Sequence, residues 1–297
     1  MSRLDAPLIK NFTNVNDFFD FISSELVTRD HSYGFRGHAN ASWELKPTLM
    51  RFAESICEAF PEKNLTLSSV TKGIYDDIHD NFRNNLIINA DLGRNQADEI
   101  DLWQYGQHYG LPSPLLDWTY SPYVALFFAL SEENPFNEEG LRCVWTLNLG
   151  VLHQINLMIE KDVWPAIRES LSPESKVKEL FPLMELVKET NEKNRRISFQ
   201  QGFFTKHIFY RSLEVWIKRI TSELHHDCSA PPFMQKFQFT CNNDQRLEVL
   251  DRLDKMNINY RTLFPDIFGS VKDAVDNAFR NFRNPSTKNY SFWEDSS

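Results

Sequence analysis

The sequence predicts an α+β fold in which helices surround a small central β-sheet. Short strand patterns occur singly between longer helical patterns, and the clearest strand alternates apolar and polar residues over 142–149. No glycine-rich phosphate loop follows any of these strands. The sequence therefore argues against a Rossmann fold and against a P-loop enzyme.

Apolar residues at helical spacing predict most of the chain to be helical. The predicted helices cover 14–26, 49–59, 67–89, 97–109, 123–130, 154–171, 176–190, 213–224, 245–256 and 266–282. The predicted strands cover 32–38, 43–47, 115–118, 142–149, 197–205 and 233–241. The two helices between 154 and 190 are rich in charge, which suggests an insertion over one side of the core.

The composition is that of a globular protein, with 41% hydrophobic and 25% charged residues and 24 phenylalanines among 297 residues. A chain of this length can bury a large core as one domain or as two smaller ones. We predict a single domain over 1–283, with a helical insertion at about 151–194 and a flexible tail over 284–297.

Several classes of protein are disfavoured by what the sequence lacks. Residues 1–10 contain no apolar run, and the apolar segment 124–130 is too short to cross a bilayer, so we expect a cytoplasmic protein without membrane contact. The four cysteines are widely spaced and form no Cys-x-x-Cys pair, so neither a metal site nor a disulfide framework is expected. The net charge of −9 argues weakly against broad binding to a phosphate backbone.

The segment 104–130 concentrates the polar side chains that chemistry requires. His108 and Tyr109 are predicted to end a helix, because two prolines and a glycine follow them. A short buried strand leads to Ser121, which is predicted to cap a helix that is apolar on every face. A polar cluster between a strand and a buried helix is a common ligand site. The alternative is a proline-rich loop whose Asp117 and Thr119 merely cap that helix.

Four segments in this order resemble the signatures of FRG-domain proteins. They are 33–37 (YGFRG) with 43–49 (WELKPTL) and Arg51, 107–112 (QHYGLP) with 115–119 (LLDWT), 121–122 (SP) and 125–129 (ALFFA), 197–205 (ISFQQGFFT), and 262–266 (TLFPD). One departure is Ser113, where that family more often has Thr.

Three of these segments are predicted to converge on one site. Arg36, at a strand end, offers a planar fork for a phosphate or a carboxylate, although an internal salt bridge to Asp117 or Glu44 is the alternative. Thr119 and Ser121 offer hydroxyls for a ribose, and a glutamine at 201 offers an amide to a sugar hydroxyl. Aromatic residues at 35, 109 and 118 are candidates for stacking on a flat ring, but core packing is the alternative for each and the better interpretation of Trp118.

The order of an arginine strand, a hydroxyl strand and a glutamine or glutamate strand is similar to the three-part signature of ADP-ribosyltransferases. That resemblance implies an ADP-ribosyltransferase-like fold and NAD as cofactor. It places Arg36, with the flanking Phe35 and Gly37, against NAD, and Thr119 and Ser121 in the pocket.

The same resemblance assigns the catalytic candidates. Gln201 occupies the third motif, where a glutamate is common. Asp117 is expected to stabilise the oxocarbenium-like ion, and His108 or Tyr109 to orient or deprotonate the acceptor. FRG-domain proteins include toxins of toxin-antitoxin and anti-phage defence systems, which implies a cognate antitoxin as a possible partner.

Two other classes of function stay open, namely a nucleotide-binding module without activity and a nuclease or other hydrolase using His108 and Asp117. The acceptor is predicted to be single-stranded nucleic acid (RNA or DNA) or a protein. The nucleic-acid interpretation uses a set of cationic and aromatic residues near the first and third motifs: Lys46, Arg51, Arg195, Arg196, Lys206, His207 and Arg211, with Phe203, Phe204 and Tyr210. The alternative is that these charges are solvated and the aromatic rings lie in the core.

Overall fold

The structure is a computed structural model of the 297-residue chain. It describes residues 8–27, 32–89, 101–131, 140–158, 185–187, 195–206, 212–214 and 232–283.

A seven-stranded sheet runs through the described part of the chain. In sequence order its strands are β1 (Leu8–Phe12), β2 (Tyr33–His38), β3 (Leu115–Thr119), β4 (Leu141–Asn148), β5 (Glu185–Val187), β6 (Gly202–Lys206) and β7 (Met234–Thr240). Their order across the sheet is β1-β7-β4-β2-β3-β6-β5. The sheet is mixed, because β1 pairs parallel with β7 whereas every other neighbouring pair is antiparallel.

Helices pack around this sheet. They are α1 (Val15–Phe21), which continues as a π-helical turn over Ile22–Leu26, α2 (Thr48–Ala59), α3 (Leu67–Asn89), α4 (Leu102–His108), α5 (Pro122–Ser131), α6 (Leu149–Met158), α7 (Arg195–Phe199), α8 (Asn243–Lys255), α9 (Tyr260–Leu263) and α10 (Ile267–Arg283). A short 3₁₀ helix, Pro61–Lys63, lies between α2 and α3. Among the described helices, none is both long and apolar enough to span a bilayer.

The predicted α+β class is confirmed, and so are the elements with the strongest patterns. Helix α3 has the predicted bounds, α5 is apolar and buried as expected, and β4 differs from its prediction by one residue at each end. Ser121 caps α5 as predicted, since its Oγ accepts a hydrogen bond from the amide of Val124 at 3.3 Å.

Other predictions are wrong. The sheet is larger than the small one expected, partly because β1 went unrecognised: four of its five residues are exposed, so no alternation marks it. Residues 43–47 form no strand, because the amide of Leu45 bonds the carboxylate of Glu214 instead of a neighbouring strand.

The third motif is also rearranged. The predicted strand 197–205 is a helix, α7, followed by β6, with Gln201 between them in the left-handed conformation at φ 49°. Part of the predicted helix 176–190 is the strand β5. Residues 97–100, most of 213–224 and the predicted tail lie outside the described residues.

Two buried clusters cover the two faces of the sheet. One contains Leu116, Trp118, Trp145 and Phe203, and the other is built by α1, α5 and α8 against β7. The second cluster includes Phe18, which stacks on Phe239 with ring centroids 4.8 Å apart. Since hydrophobic burial is the main stabilising term in folding, these clusters hold β2 and β3 between α5 and the opposite layer.

The C-terminal end of buried helix α5 is closed by two buried arginines. Arg142 donates to the carbonyl of Ala129 at 2.6 Å, and Arg246 donates to that of Leu130 at 3.1 Å. The last carbonyls of a helix have no partner within the helix, and positive charge is favourable there. These contacts stabilise the helix against which β2 packs.

Gly37 lets β2 approach α5 closely. A Cβ atom at this position would overlap the carbonyl oxygen of Ala125 and lie 2.6 Å from the amide nitrogen of Ala129. Both are backbone atoms of a buried helix, so neither can move aside cheaply. The packing of β2 on α5 therefore requires glycine at position 37.

We predict that Gly37→Ala destabilises the fold by at least about 2 kcal/mol, because the added methyl group forces β2 away from α5. The measurement is urea denaturation of the purified variant. The matched control is Gly73→Ala, at an exposed position of helix α3, where a Cβ meets no atom within 4 Å and about 0.5–1 kcal/mol of stabilisation is expected. Equal stability of the two variants would show that β2 does not depend on this contact.

Candidate functional site

A cleft of about 960 Å³ opens where β2 and β3 separate. These neighbouring strands share a single register pair, Phe35 with Thr119, whereas β2 pairs with β4 over six residues. Four consecutive residues of β2, from Phe35 to His38, line the cleft. Side chains of a strand alternate between its two faces, so four consecutive lining residues mean that the cleft reaches both faces of β2. It does so at the end of β2, where the pairing with β3 stops.

Arg36 spans the gap between the two strands. Its Nη1 donates to the backbone carbonyl of Asp117 at 2.8 Å and lies 3.4 Å from that residue's Oδ2, while its Nε donates to Nε2 of His38 at 3.1 Å. The salt bridge considered from the sequence is therefore present, but it is long, and the Asp117 side chain is 58% exposed. Exposed pairs of this kind contribute little, so the short bond to the carbonyl dominates.

The Asp117 carboxylate is held from its other side by Gln107. The Gln107 Nε2 donates to Asp117 Oδ1 at 2.7 Å, and its Oε1 accepts from the hydroxyl of Ser113. Ser113 is fully buried, and its Oγ also accepts the amide of Leu115 at 3.2 Å. Because the serine proton goes to Oε1, the amide of Gln107 presents its NH₂ group to Asp117.

His38 is a buried neutral imidazole beside Arg36. It is 6% exposed, and its pKa is lowered to about 3, chiefly by burial and then by the positive charge of Arg36, with smaller contributions from Lys236 and Arg51. The nearby carbonyl of Trp43 acts in the opposite direction on this pKa. Since Nε2 accepts from Arg36, the single proton of the neutral ring sits on Nδ1.

A second guanidinium lies close to that of Arg36. Partial burial, and next the charge of Arg36, lower the pKa of Arg51, which lines the same cleft. Arg51 forms no side-chain hydrogen bond or ion pair with any described residue.

Lys46, by contrast, is held by Glu44 and Glu54 at 2.6 and 2.8 Å. Burial alone would lower the pKa of Lys46, but these two carboxylates outweigh it and raise the value.

The opposite wall carries an ion pair and a histidine. Arg196 Nε donates to Asp266 Oδ2 at 2.6 Å, which is the main cause of a lowered pKa for that carboxyl. The guanidinium of Arg196 also lies over the ring of Phe264, 5.0 Å from its centroid. His108 Nε2 is 3.9 Å from the same Asp266 oxygen. Burial, followed by Arg196, lowers the pKa of His108, so this imidazole is neutral at pH 7.

The two predicted hydroxyls are engaged within the protein. Thr119 lines the cleft, but its Oγ1 donates to the carbonyl of Gln200 at 2.6 Å and accepts the amide of Ser121 at 3.0 Å. Ser121 caps α5 and is not among the residues that line the cleft. These bonds fix the junction between β3, α5 and α7.

The structure brings some of the predicted residues together and leaves others apart. Those that line the cleft are Phe35, Arg36, Gly37, His108, Asp117, Trp118 and Thr119, and Trp118 also belongs to the core, as its preferred interpretation had it. Gln201 and Tyr109 are both exposed away from the lining, Tyr109 by 70%. Gln200 lines the cleft in place of Gln201, and its Nε2 donates to the carbonyl of Leu263 at 3.0 Å.

The set of residues considered for nucleic-acid binding is divided. Lys46, Arg51, Arg196 and Phe204 line the cleft, whereas Lys206 does not, and Phe203 belongs to the core together with Trp118. The Arg195 side chain, His207, Tyr210 and Arg211 lie outside the described residues.

Sequence reasoning missed His38, Gln107 and the pair of Arg196 with Asp266 as parts of the site. His38 carried a signal, because residues two apart on a strand share a face and Arg36 was already a candidate. Gln107 lies in the quoted motif, but only the fold shows that it reaches Asp117.

Two observations on the described side chains concern metal binding and the buried thiols. No cluster of three or more His, Cys, Asp or Glu side chains there could hold a metal ion. Burial raises the pKa of Cys143 to about 12 and that of Cys241 to about 11, so neither thiol is a nucleophile at neutral pH.

Comparison with known protein families finds a match within this chain. The FRG domain family model matches residues 31–138. The FRG match covers 108 of the 297 residues and includes β2, β3 and α2 to α5, and with them Arg36, His38, Gln107 and Asp117. No curated protein and no solved structure matches the chain. One wall of the cleft thus lies inside the FRG match, whereas Arg196, Gln200 and Phe264 lie outside it.

We predict that His38 destabilises the protein in acid. Its pKa is about 3 in the folded state against 6.5 in the unfolded chain, so the unfolded state alone takes up the proton as the pH falls below 6.5. Stability therefore falls with pH across that window, by about 2 kcal/mol between pH 7.5 and 5.0. The measurement is urea unfolding of the wild type and of His38→Gln at both pH values. An equal pH dependence in the two proteins would contradict the assignment.

Proposed function

We propose that this chain is an NAD-dependent ADP-ribosyltransferase and that NAD binds in the cleft between β2 and β3. The observation that carries the proposal is the pair of guanidinium groups, Arg36 and Arg51, beside the Asp117 carboxylate. Two like charges in one cleft repel each other, and this repulsion adds to burial, the larger cause, in lowering the pKa of Arg51. A dinucleotide diphosphate relieves that repulsion and accepts bidentate hydrogen bonds from arginine.

The dimensions of the site fit a ligand of this size. The cleft of about 960 Å³ lies at the upper end of the range for small-molecule pockets. Its lining combines those cations with the aromatic rings of Trp43, Phe128 and Phe264. Such rings suit the two flat rings of a dinucleotide.

The proposed reaction breaks the bond between nicotinamide and C1′ of the ribose, and nicotinamide leaves with the electron pair. Asp117 stabilises the oxocarbenium-like ion, and its carboxylate is oriented for this by Gln107 and Arg36. An acceptor oxygen or nitrogen then bonds to C1′ and gives up its proton. His108 is the base we propose, since its imidazole is neutral at pH 7.

A nucleotide-binding module without turnover is the second candidate, and one observation favours it. Transferases of this kind commonly carry a glutamate in the third motif, whereas Gln201 is an exposed turn residue away from the cleft. The residue that faces the cleft there, Gln200, has an amide and so cannot act as a base.

We propose that the acceptor is a macromolecule, either single-stranded nucleic acid or protein. The nucleic-acid version needs free cations. Lys46 and Arg196 line the cleft but are neutralised by carboxylates. Among the described members of the set, this leaves Arg51 as the residue that both lines the cleft and forms no ion pair with a described residue. Because carboxylates neutralise two of these cations, we favour a protein as the acceptor.

We predict that wild-type protein transfers label from radioactive NAD to a component of a cell lysate and that Arg36→Ala does not. Arg36→Ala removes the proposed phosphate contact and the bond to Asp117, so transfer is expected to fall at least about 100-fold. Nuclease and protease treatment of the product then distinguishes nucleic acid from protein. Retained NAD binding without label transfer would support the module instead, and transfer by a folded Arg36→Ala protein would end the assignment.

We predict that Asp117→Asn lowers kcat by about 100-fold while changing KM for NAD less than about threefold. The substitution preserves size and polarity but removes the charge that the cationic transition state requires. Because Asp117 is exposed, the unfolding midpoint should not change. Steady-state kinetics measure the split, and a change confined to KM would remove Asp117 from the catalytic step.

The resemblance to FRG-domain toxins supports one further proposal, that the activity serves a toxin-antitoxin or anti-phage defence system and is restrained by a cognate antitoxin protein. The same Asp117→Asn variant tests it. Expression of the wild type without a partner should arrest bacterial growth, and the variant should not. Normal growth with demonstrably active enzyme would contradict a toxin.

A further inference from the structure

The Arg36 guanidinium is held by hydrogen bonds at two of its three nitrogens, and the third forms none with a described residue. A guanidinium is planar and carries five N–H donors on Nε, Nη1 and Nη2. Nε donates to His38, and Nη1 donates to the Asp117 carbonyl and approaches its carboxylate. Nη2 makes no hydrogen bond with any described residue. Once two of its nitrogens are fixed, the plane of the group and the direction of Nη2 are fixed as well.

His38 suits this task because it accepts without adding charge. The groups that face it are cationic: Arg36 on its own strand, Arg51 on α2 and Lys236 on β7. A carboxylate in its place would neutralise Arg36, and a protonated ring would repel it. A neutral imidazole offers Nε2 as an acceptor and leaves the full charge of Arg36 for a ligand.

The imidazole is itself held in place. His38 pairs with Cys143 of the neighbouring strand β4, and its ring makes an edge contact with Trp43 at 6.1 Å. It is among the few polar residues that are more than nine-tenths buried. A buried polar residue on a central strand costs free energy unless hydrogen bonds offset that cost. Its Nδ1 has no hydrogen-bond partner among the described residues, so the bond from Arg36 to Nε2 is the one that offsets the burial of this ring.

We propose that His38 is a positioning residue, whose neutral Nε2 accepts the Nε–H of Arg36 and thereby aims the free Nη2 at a phosphate of the ligand. This inference rests on the proposed function, because it requires Arg36 to bind the anion. His38 does not touch the reacting atoms. It sets the direction of the group that binds the phosphate.

Two amide substitutions separate positioning from simple burial. The Oε1 of glutamine reaches the place of Nε2, so His38→Gln retains an acceptor for Arg36. The Oδ1 of asparagine reaches only the place of Nδ1, so His38→Asn keeps polarity and loses that acceptor. We expect His38→Asn to weaken ADP-ribose binding about tenfold, the equivalent of one charge-assisted hydrogen bond, and His38→Gln to weaken it less than about threefold.

The experiment is isothermal titration calorimetry with ADP-ribose as the probe, on the full chain. A double-mutant cycle with Arg36→Ala is decisive, because a residue that acts through Arg36 has no further effect once Arg36 is gone. His153→Asn, at an exposed position on α6, is the control for removing an imidazole. If His38→Asn does not stay folded, His38→Phe takes its place in the cycle.

Each outcome decides the matter. A tenfold loss in His38→Asn that disappears in the Arg36→Ala background supports the proposal. Unchanged affinity in folded His38→Asn, or the same loss with and without Arg36, overturns it while the proposed function stands. Failure of the wild type to bind either ADP-ribose or NAD overturns both.

Discussion

The bond from the Arg36 side chain to the backbone carbonyl of Asp117 organises the site. β2 and β3 share only one register pair, so Asp117 pairs with Phe204 of β6 but has no register partner on β2, and the guanidinium of Arg36 donates to its carbonyl instead. One side chain thus bridges the two strands where their pairing stops. The cleft, the orientation of the carboxylate and the bond to His38 all follow from where this group lies.

Charge in the cleft is distributed unevenly, and this distribution defines its chemistry. The charges of Lys46 and Arg196 are neutralised by nearby carboxylates, and these ion pairs link residues within the walls of the cleft. Arg36 is bound mostly through neutral acceptors, and Arg51 is not bound to any described residue, so these two keep most of their positive charge. The net positive field is therefore concentrated on one side, next to Asp117. A ligand that is anionic at one point and becomes cationic at another suits such an arrangement.

The sequence was most informative where one physical signal acted alone. The all-round apolar character of α5 and the alternation of β4 predicted both elements well, because burial decides them. Where tertiary contacts compete with local pattern, prediction failed: segment 43–47 bonds to Glu214, and β1 is defined only by its parallel pairing with β7. In the third motif, the unforeseen helix α7 and its left-handed end move the cleft-facing glutamine one position earlier.

Three different roles fall to the residues of the tripeptide Phe35-Arg36-Gly37, from which the matching family takes its name. The phenylalanine is core, being 3% exposed, the arginine belongs to the cleft, and the glycine makes room for a helix backbone. Replacing the phenylalanine or the glycine would disturb the packing of β2, whereas replacing the arginine would change the charge of the cleft. A short motif of this kind places a residue of the proposed binding site between two residues that the packing of the fold requires. A chain that bound a different ligand, or none, would still depend on the phenylalanine and the glycine for the packing of β2.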